Sequence, residues 1–106
     1  AMKESEISLL QRIVRLSFEP EKVEDFLLIF RESAPLIRQF PGCRGLQLWR
    51  DAETPNVLYT YSLWQDAEAL ETYRRSDLFV KTWAATKKLF NDKPRAWSAL
   101  PLIELP

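Results

Sequence analysis

Apolar and polar positions alternate with a period of two over residues 11–18, where Val14, Leu16 and Phe18 stand against Ile13, Arg15 and Ser17. That period predicts a strand buried on at least one side. It changes after Glu19-Pro20-Glu21, a proline suited to a first helical turn between acids suited to its positive end. Val23, Phe26, Leu27, Phe30, Ala34 and Ile37 then recur at helical spacing and make one apolar face. Pro35 lacks the amide that a continuous helix uses, so a kink or restart is expected near Ser33. Phe40-Pro41-Gly42 forces a turn.

Residues 43–50 and 56–64 read as a second and a third strand, joined by the polar hairpin loop 51–55. Asp66 is a good N-cap for a helix over 67–74, with Glu68 in its first turn. Ser76 caps a further helix over roughly 77–91, on which Phe79, Trp83, Thr86 and Phe90 share a face. Residues 95–104 read as a last strand, with Pro101 marking a sheet edge or a bulge. The order β-α-β-β-α-α-β is the split βαβ pattern: an α+β ferredoxin-like sandwich with an antiparallel four-stranded sheet and a second helix broken in two.

Helices in this topology cover one face of the sheet. On the third strand Val57, Tyr59, Tyr61 and Leu63 point one way, and Leu58, Thr60, Ser62 and Trp64 the other. The pattern does not say which set meets the helices. Either choice leaves large apolar or aromatic groups on the back of the sheet, where Trp49 and Ile13 add to them. Such a surface predicts a homodimer formed through the open sheet face.

Composition narrows the function. A chain of 106 residues without internal repeats makes one domain, placed at 11–104 behind an N-terminal extension, residues 1–10, in which Ala1 ahead of Met2 reads as an expression scar. Basic and acidic residues balance at 15 each, so neither nucleic acid nor an anionic membrane surface is an expected partner. The longest apolar run, residues 26–30, is far short of the ~18 residues that span a bilayer. Residues 2–6 are polar and charged, unlike a signal peptide. A lone cysteine, Cys43, makes no internal disulfide and fits a reducing cytoplasm as a half-buried structural thiol.

The chain has no histidine. That excludes Ser-His and Cys-His nucleophile pairs, histidine ligation of haem and the usual zinc sites, and no metal is expected. With two glycines, Gly42 and Gly45, no phosphate-cradling loop can be assembled.

Arg15-Leu16-Ser17-Phe18, Phe40-Pro41-Gly42-Cys43, Tyr61-Ser62-Leu63-Trp64, Ala69-Leu70, Tyr73 and residues 76–79 come in an order and spacing that resembles the antibiotic biosynthesis monooxygenase family. The resemblance covers almost the whole chain. It implies a ferredoxin-like dimer whose sheets pack into a shared β-barrel, with a pocket between sheet and helices lined by Trp64. It also implies cofactor-free oxidation, by dioxygen, of a small aromatic or quinol-like substrate. The alternative is a non-catalytic dimeric module that binds a small apolar ligand.

Two departures stand out. Tyr73 occupies a position where many members have histidine, and Trp83 appears where haem-degrading members carry the histidine that ligates iron. Haem degradation is therefore not expected, and no cofactor is. On this resemblance Trp64 (a wall and N–H donor) and Tyr73 are the candidate catalytic residues, and Arg15, Tyr59, Tyr61, Phe79 and Trp83 the candidate substrate-binding ones. Packing is an equally available role for Trp64 and Tyr73, and the favoured one for Trp83, which shares a helical stripe with Phe79 and Phe90. The proton acceptor stays open among water, a shifted carboxylate and the acidity of the substrate itself, because a tyrosine with a pKa near ~10 is a poor base at neutral pH.

Overall fold

The computed structural model describes residues 9–106. The extension expected at 1–10 lies, as far as residue 8, outside the described residues. β1 (Leu10–Ser17) is the first element, followed by a single 3-10 turn at Pro20–Lys22 that leads into α1 (Val23–Arg38). β2 (Cys43–Arg50) and β3 (Val57–Trp64) form the hairpin. α2 (Ala67–Arg74), α3 (Asp77–Lys87) and the edge strand β4 (Arg95–Ala99) complete the chain. The sheet order is β2-β3-β1-β4 with every neighbour antiparallel, the ferredoxin-like arrangement expected from the pattern.

Three local readings change. Pro35 neither ends nor restarts α1, which runs through it for 16 residues. It falls in the last turn, where the one lost bond costs little, and Ser33 Oγ donates to the Ile29 carbonyl at 2.9 Å in the turn before. α3 stops at Lys87 rather than near 91, because the segment after it is tied to the end of β1. Asn91 N–H donates to the Ser17 carbonyl (3.0 Å), Glu19 N–H to that of Leu89 (3.1 Å), and Phe90 bridges Phe18. β4 ends at Ala99, five residues before the expected limit of 104, so Pro101 stands outside the strand and not at an edge or bulge within it. The residue before a proline and the proline's missing donor both weigh against continuing the ladder.

The caps act as read. Asp66 Oδ1 accepts from Ala69 N–H at 2.8 Å and Ser76 Oγ from Phe79 N–H at 3.1 Å, so α2 and α3 each have a side-chain N-cap.

β3 resolves the ambiguity of its two faces. Leu58, Thr60, Ser62 and Trp64 turn toward the helices, and Val57, Tyr59, Tyr61 and Leu63 toward the back. The core beneath the helices is split. One cluster, Leu16, Phe18, Val23, Phe26 and Leu58, closes one end. The other, Leu10, Cys43, Trp64 and Leu70, closes the opposite end. Between them three inward positions of the sheet are short: Thr60 and Ser62 on β3 and Ala96 on β4. Side chains of that length do not reach the helices, so a hollow remains.

Candidate functional site

The hollow has a volume of about 280 Å³, near the lower end of the roughly 300–1,000 Å³ typical of small-molecule sites. Its floor is Val14, Leu46, Thr60 and Ser62 of the sheet, and its roof is Phe26, Phe30, Ile37, Leu70, Tyr73, Phe79 and Trp83 of the helices. A run of touching rings follows the roof. Trp64 stacks on Tyr73 at 5.0 Å between centroids, Tyr73 meets Phe79 edge-on at 5.3 Å, and Phe79 stacks on Trp83 at 5.8 Å. α2 and α3 thus line the hollow with aromatic rings, a wall suited to an aromatic guest.

Trp64 ends β3 and is completely buried at 0 % exposure. Its indole N–H donates to Ser62 Oγ at 2.9 Å, so that donor is already used and is not offered to a guest as the sequence reading expected. Trp64 contributes a wall. The Ser62 hydroxyl proton has no acceptor among the described residues and is the group available to the cavity.

Tyr73 is positioned by the turn between α2 and α3, where Ser76 Oγ donates to the Tyr73 carbonyl at 2.6 Å. Its phenol is pushed up to about 12, by burial first and by the nearby Cys43 second. At neutral pH it is a hydrogen-bond donor and not a proton acceptor. Cys43 lies buried outside the cavity wall, its thiol also pushed up by burial and its Sγ 3.6 Å from the Gly45 carbonyl oxygen. It is a structural thiol.

The structure brings Trp64, Tyr73, Phe79 and Trp83 together around the hollow, and leaves Arg15, Tyr59 and Tyr61 out of it. Those three point to the back of the sheet, where Tyr59 donates to Asp51 Oδ1 (2.8 Å) and Tyr61 to Gln11 Oε1 (2.9 Å). Arg15 lies 3.9 Å from Asp92 Oδ2. The physical reason is register: neighbours on a strand face opposite ways, so Arg15 faces out where Val14 and Leu16 face in. The same alternation puts Arg12 on the inside, a wall residue that the sequence reading did not single out. Thr60 and Ser62, whose shortness makes the hollow, were also missed. Their signal was small polar residues in mid-strand on a face otherwise filled by Leu58 and Trp64.

The sequence model of the antibiotic biosynthesis monooxygenase family matches residues 10–85, from β1 through most of α3. The chain belongs to that family. Solved structures share the fold. A conserved protein from Methanosarcina mazei superposes with a TM-score of 0.88 at 17% identity, over 92% of this chain and 97% of that one. A candidate antibiotic biosynthesis monooxygenase from Caulobacter crescentus gives 0.84 at 21% identity, over 93% and 94%. A candidate heme-binding protein of Natronomonas pharaonis is 31% identical over 77 residues, or 73% of this chain. The chain spans only 13% of that relative's length. The family match takes in every strand of the floor except β4, and the whole aromatic roof up to Trp83.

Proposed function

We propose that residues 11–104 form one unit that binds a small planar aromatic molecule in this hollow and exposes it to dioxygen there, without a metal or organic cofactor. The observation that carries the reading is the character of the walls: stacked rings, a few hydroxyls and arginines, and no carboxylate or imidazole among the described residues. Such a site holds a ring in place but offers no base of its own, so water at its mouth has to take the proton.

In the proposed reaction the substrate's activated CH₂ group, flanked by aromatic rings as in an anthrone, loses a proton to water. The carbanion passes one electron to dioxygen, the resulting radical pair joins to form a C–O bond, and the peroxide anion takes back a proton from the hydronium to give a hydroperoxide. Loss of water from that hydroperoxide leaves a carbonyl, so one substrate and one O₂ give one ketone and one H₂O. Tyr73, held protonated, and Ser62 supply donors to the developing oxyanion. Trp64, Phe79 and Trp83 supply the aromatic wall.

Haem does not suit these residues. Cys43 and Tyr73 are held protonated, neither is presented as an anionic ligand, and histidine is missing from the chain. The likeness to the Natronomonas pharaonis protein therefore brings no step through haem.

The reading also includes a homodimer. Ile13, Trp49, Tyr61, Leu63 and Trp97 share the back of the sheet, where Trp49 stacks on Tyr61 at 4.8 Å. Trp49 is 38% and Trp97 48% exposed in the single chain, a surface expected to be covered by a second copy.

Oxygen consumption with 1,8-dihydroxyanthrone tests the enzymatic half. The wild type is expected to accelerate uptake over buffer, and the Trp64→Phe/Tyr73→Phe double variant to fall to the buffer rate. Saturable binding without any acceleration would leave a ligand-binding module in place of an enzyme.

A further inference from the structure

One end of the hollow is charged. Arg12 on β1 and Arg74 in the last turn of α2 both line it, one from the sheet and one from the helices. Among the described residues no aspartate or glutamate lines it. Arg12 Nη1 donates across to Ser98 Oγ on β4 at 2.9 Å, which fixes the guanidinium while leaving most of its five N–H donors unused. Arg12 also pairs in register with Ser62, so it stands beside the polar part of the floor.

Arg74 Nη1 lies 3.4 Å from Glu71 Oε2, and Glu71 Oε1 is shared with Arg75 Nε, also at 3.4 Å. One carboxylate thus serves two arginines, and Arg12 adds a third cation. Burial, then the Arg74 charge, pull the Arg12 guanidinium downward against the opposing pull of Glu71. The two cations feel each other across this end of the site. Arg74 alone would be an ordinary complement to a helix C-terminus. Its convergence with a partly buried Arg12 on a wall without acids is not explained that way, since gathered cations cost stability unless something negative joins them.

The geometry points to an anionic ligand: a planar aromatic whose carboxylate, phenolate or enolate oxygen sits at Arg12 and Arg74 while its rings lie against the wall of Trp64, Tyr73, Phe79 and Trp83. This rests on the reading of the hollow as a ligand site. It also bears on the missing base, because a substrate held as its anion needs less help from the protein in giving up a proton.

Fluorescence titration with anthracene-2-carboxylate and its neutral counterpart, anthracene-2-carboxamide, tests it. The wild type is expected to bind the acid about tenfold or more tighter than the amide, the scale of a charge-assisted hydrogen bond in a partly desolvated site. Arg12→Gln should erase that preference by weakening the acid far more than the amide, and Arg12→Lys should keep most of it. Circular dichroism confirms that each variant is folded. Equal binding of acid and amide by the wild type would overturn the anion assignment and leave the aromatic site standing. So would an acid preference that survives in both Arg12→Gln and Arg74→Gln. If neither compound binds, the anion assignment falls together with the reading of the hollow.

Discussion

Thr60 and Ser62 decide more than their size suggests. They sit where a packed core would carry leucine or valine, and their shortness leaves the hollow open. Thr60→Leu is therefore expected to raise stability by about 0.5–2 kcal/mol, as cavity filling commonly does, while abolishing binding of anthracene compounds. Thermal melts and fluorescence titration on the same preparation check both halves. Ser62→Ala acts the other way. It strands the Trp64 indole N–H, which Ser62 satisfies at 2.9 Å in a fully buried position. The expected cost is about 1–3 kcal/mol in urea unfolding, the penalty for a buried donor without a partner.

Tyr73 offers a direct check on its role as a donor. Its phenol ionises near 12 in the folded protein against 10.0 for a free tyrosine, so the folded state keeps a proton that the unfolded chain gives up. The stability this provides is whole below pH 10 and is lost as pH rises toward 12. A Tyr73→Phe variant should lose less stability than the wild type over that window, and the difference between the ultraviolet titrations of the two proteins should show Tyr73 still protonated at pH 11. A Tyr73 that ionised near 10, as a free tyrosine does, would return it to the list of candidate bases.

At the level of elements, local chemistry was readable and orientation was not. The caps at Asp66 and Ser76 announce their helices because each needs only a hydroxyl or carboxylate three residues ahead of a free N–H. The turn at Gly42 was equally plain, and it is tightly held. Its φ is +88°, and a Cβ there would lie 2.5 Å from the Ala69 Cβ on α2. Gly42→Ala combines left-handed strain with a clash between two elements, and about 2–3 kcal/mol of destabilisation is expected from equilibrium unfolding. What the sequence could not give was the choice of face on β3, since both sets of side chains carry aromatics. Arg12 and Arg15 on β1 share that ambiguity: an odd-numbered and an even-numbered residue of one strand look alike until the helices choose a side. The early end of α3 was hidden as well, because the contacts that stop it reach back from Asn91 to Ser17.

For the whole molecule, the back of the sheet and the hollow beneath the helices are separate claims. Trp49→Glu together with Trp97→Glu places charges on the back without touching the cavity wall. Sedimentation should show the wild type as a dimer and this variant as a monomer, since like charges would meet across a two-fold interface. A monomeric wild type would remove the dimer and leave the hollow untouched.

The hollow is the central claim. Anaerobic titration of the wild type with 1,8-dihydroxyanthrone, followed by tryptophan emission, tests it most directly. The account predicts saturable quenching at one ligand per chain, absent in Thr60→Leu. Quenching that rises without saturation, or is the same in the filled variant, would contradict it.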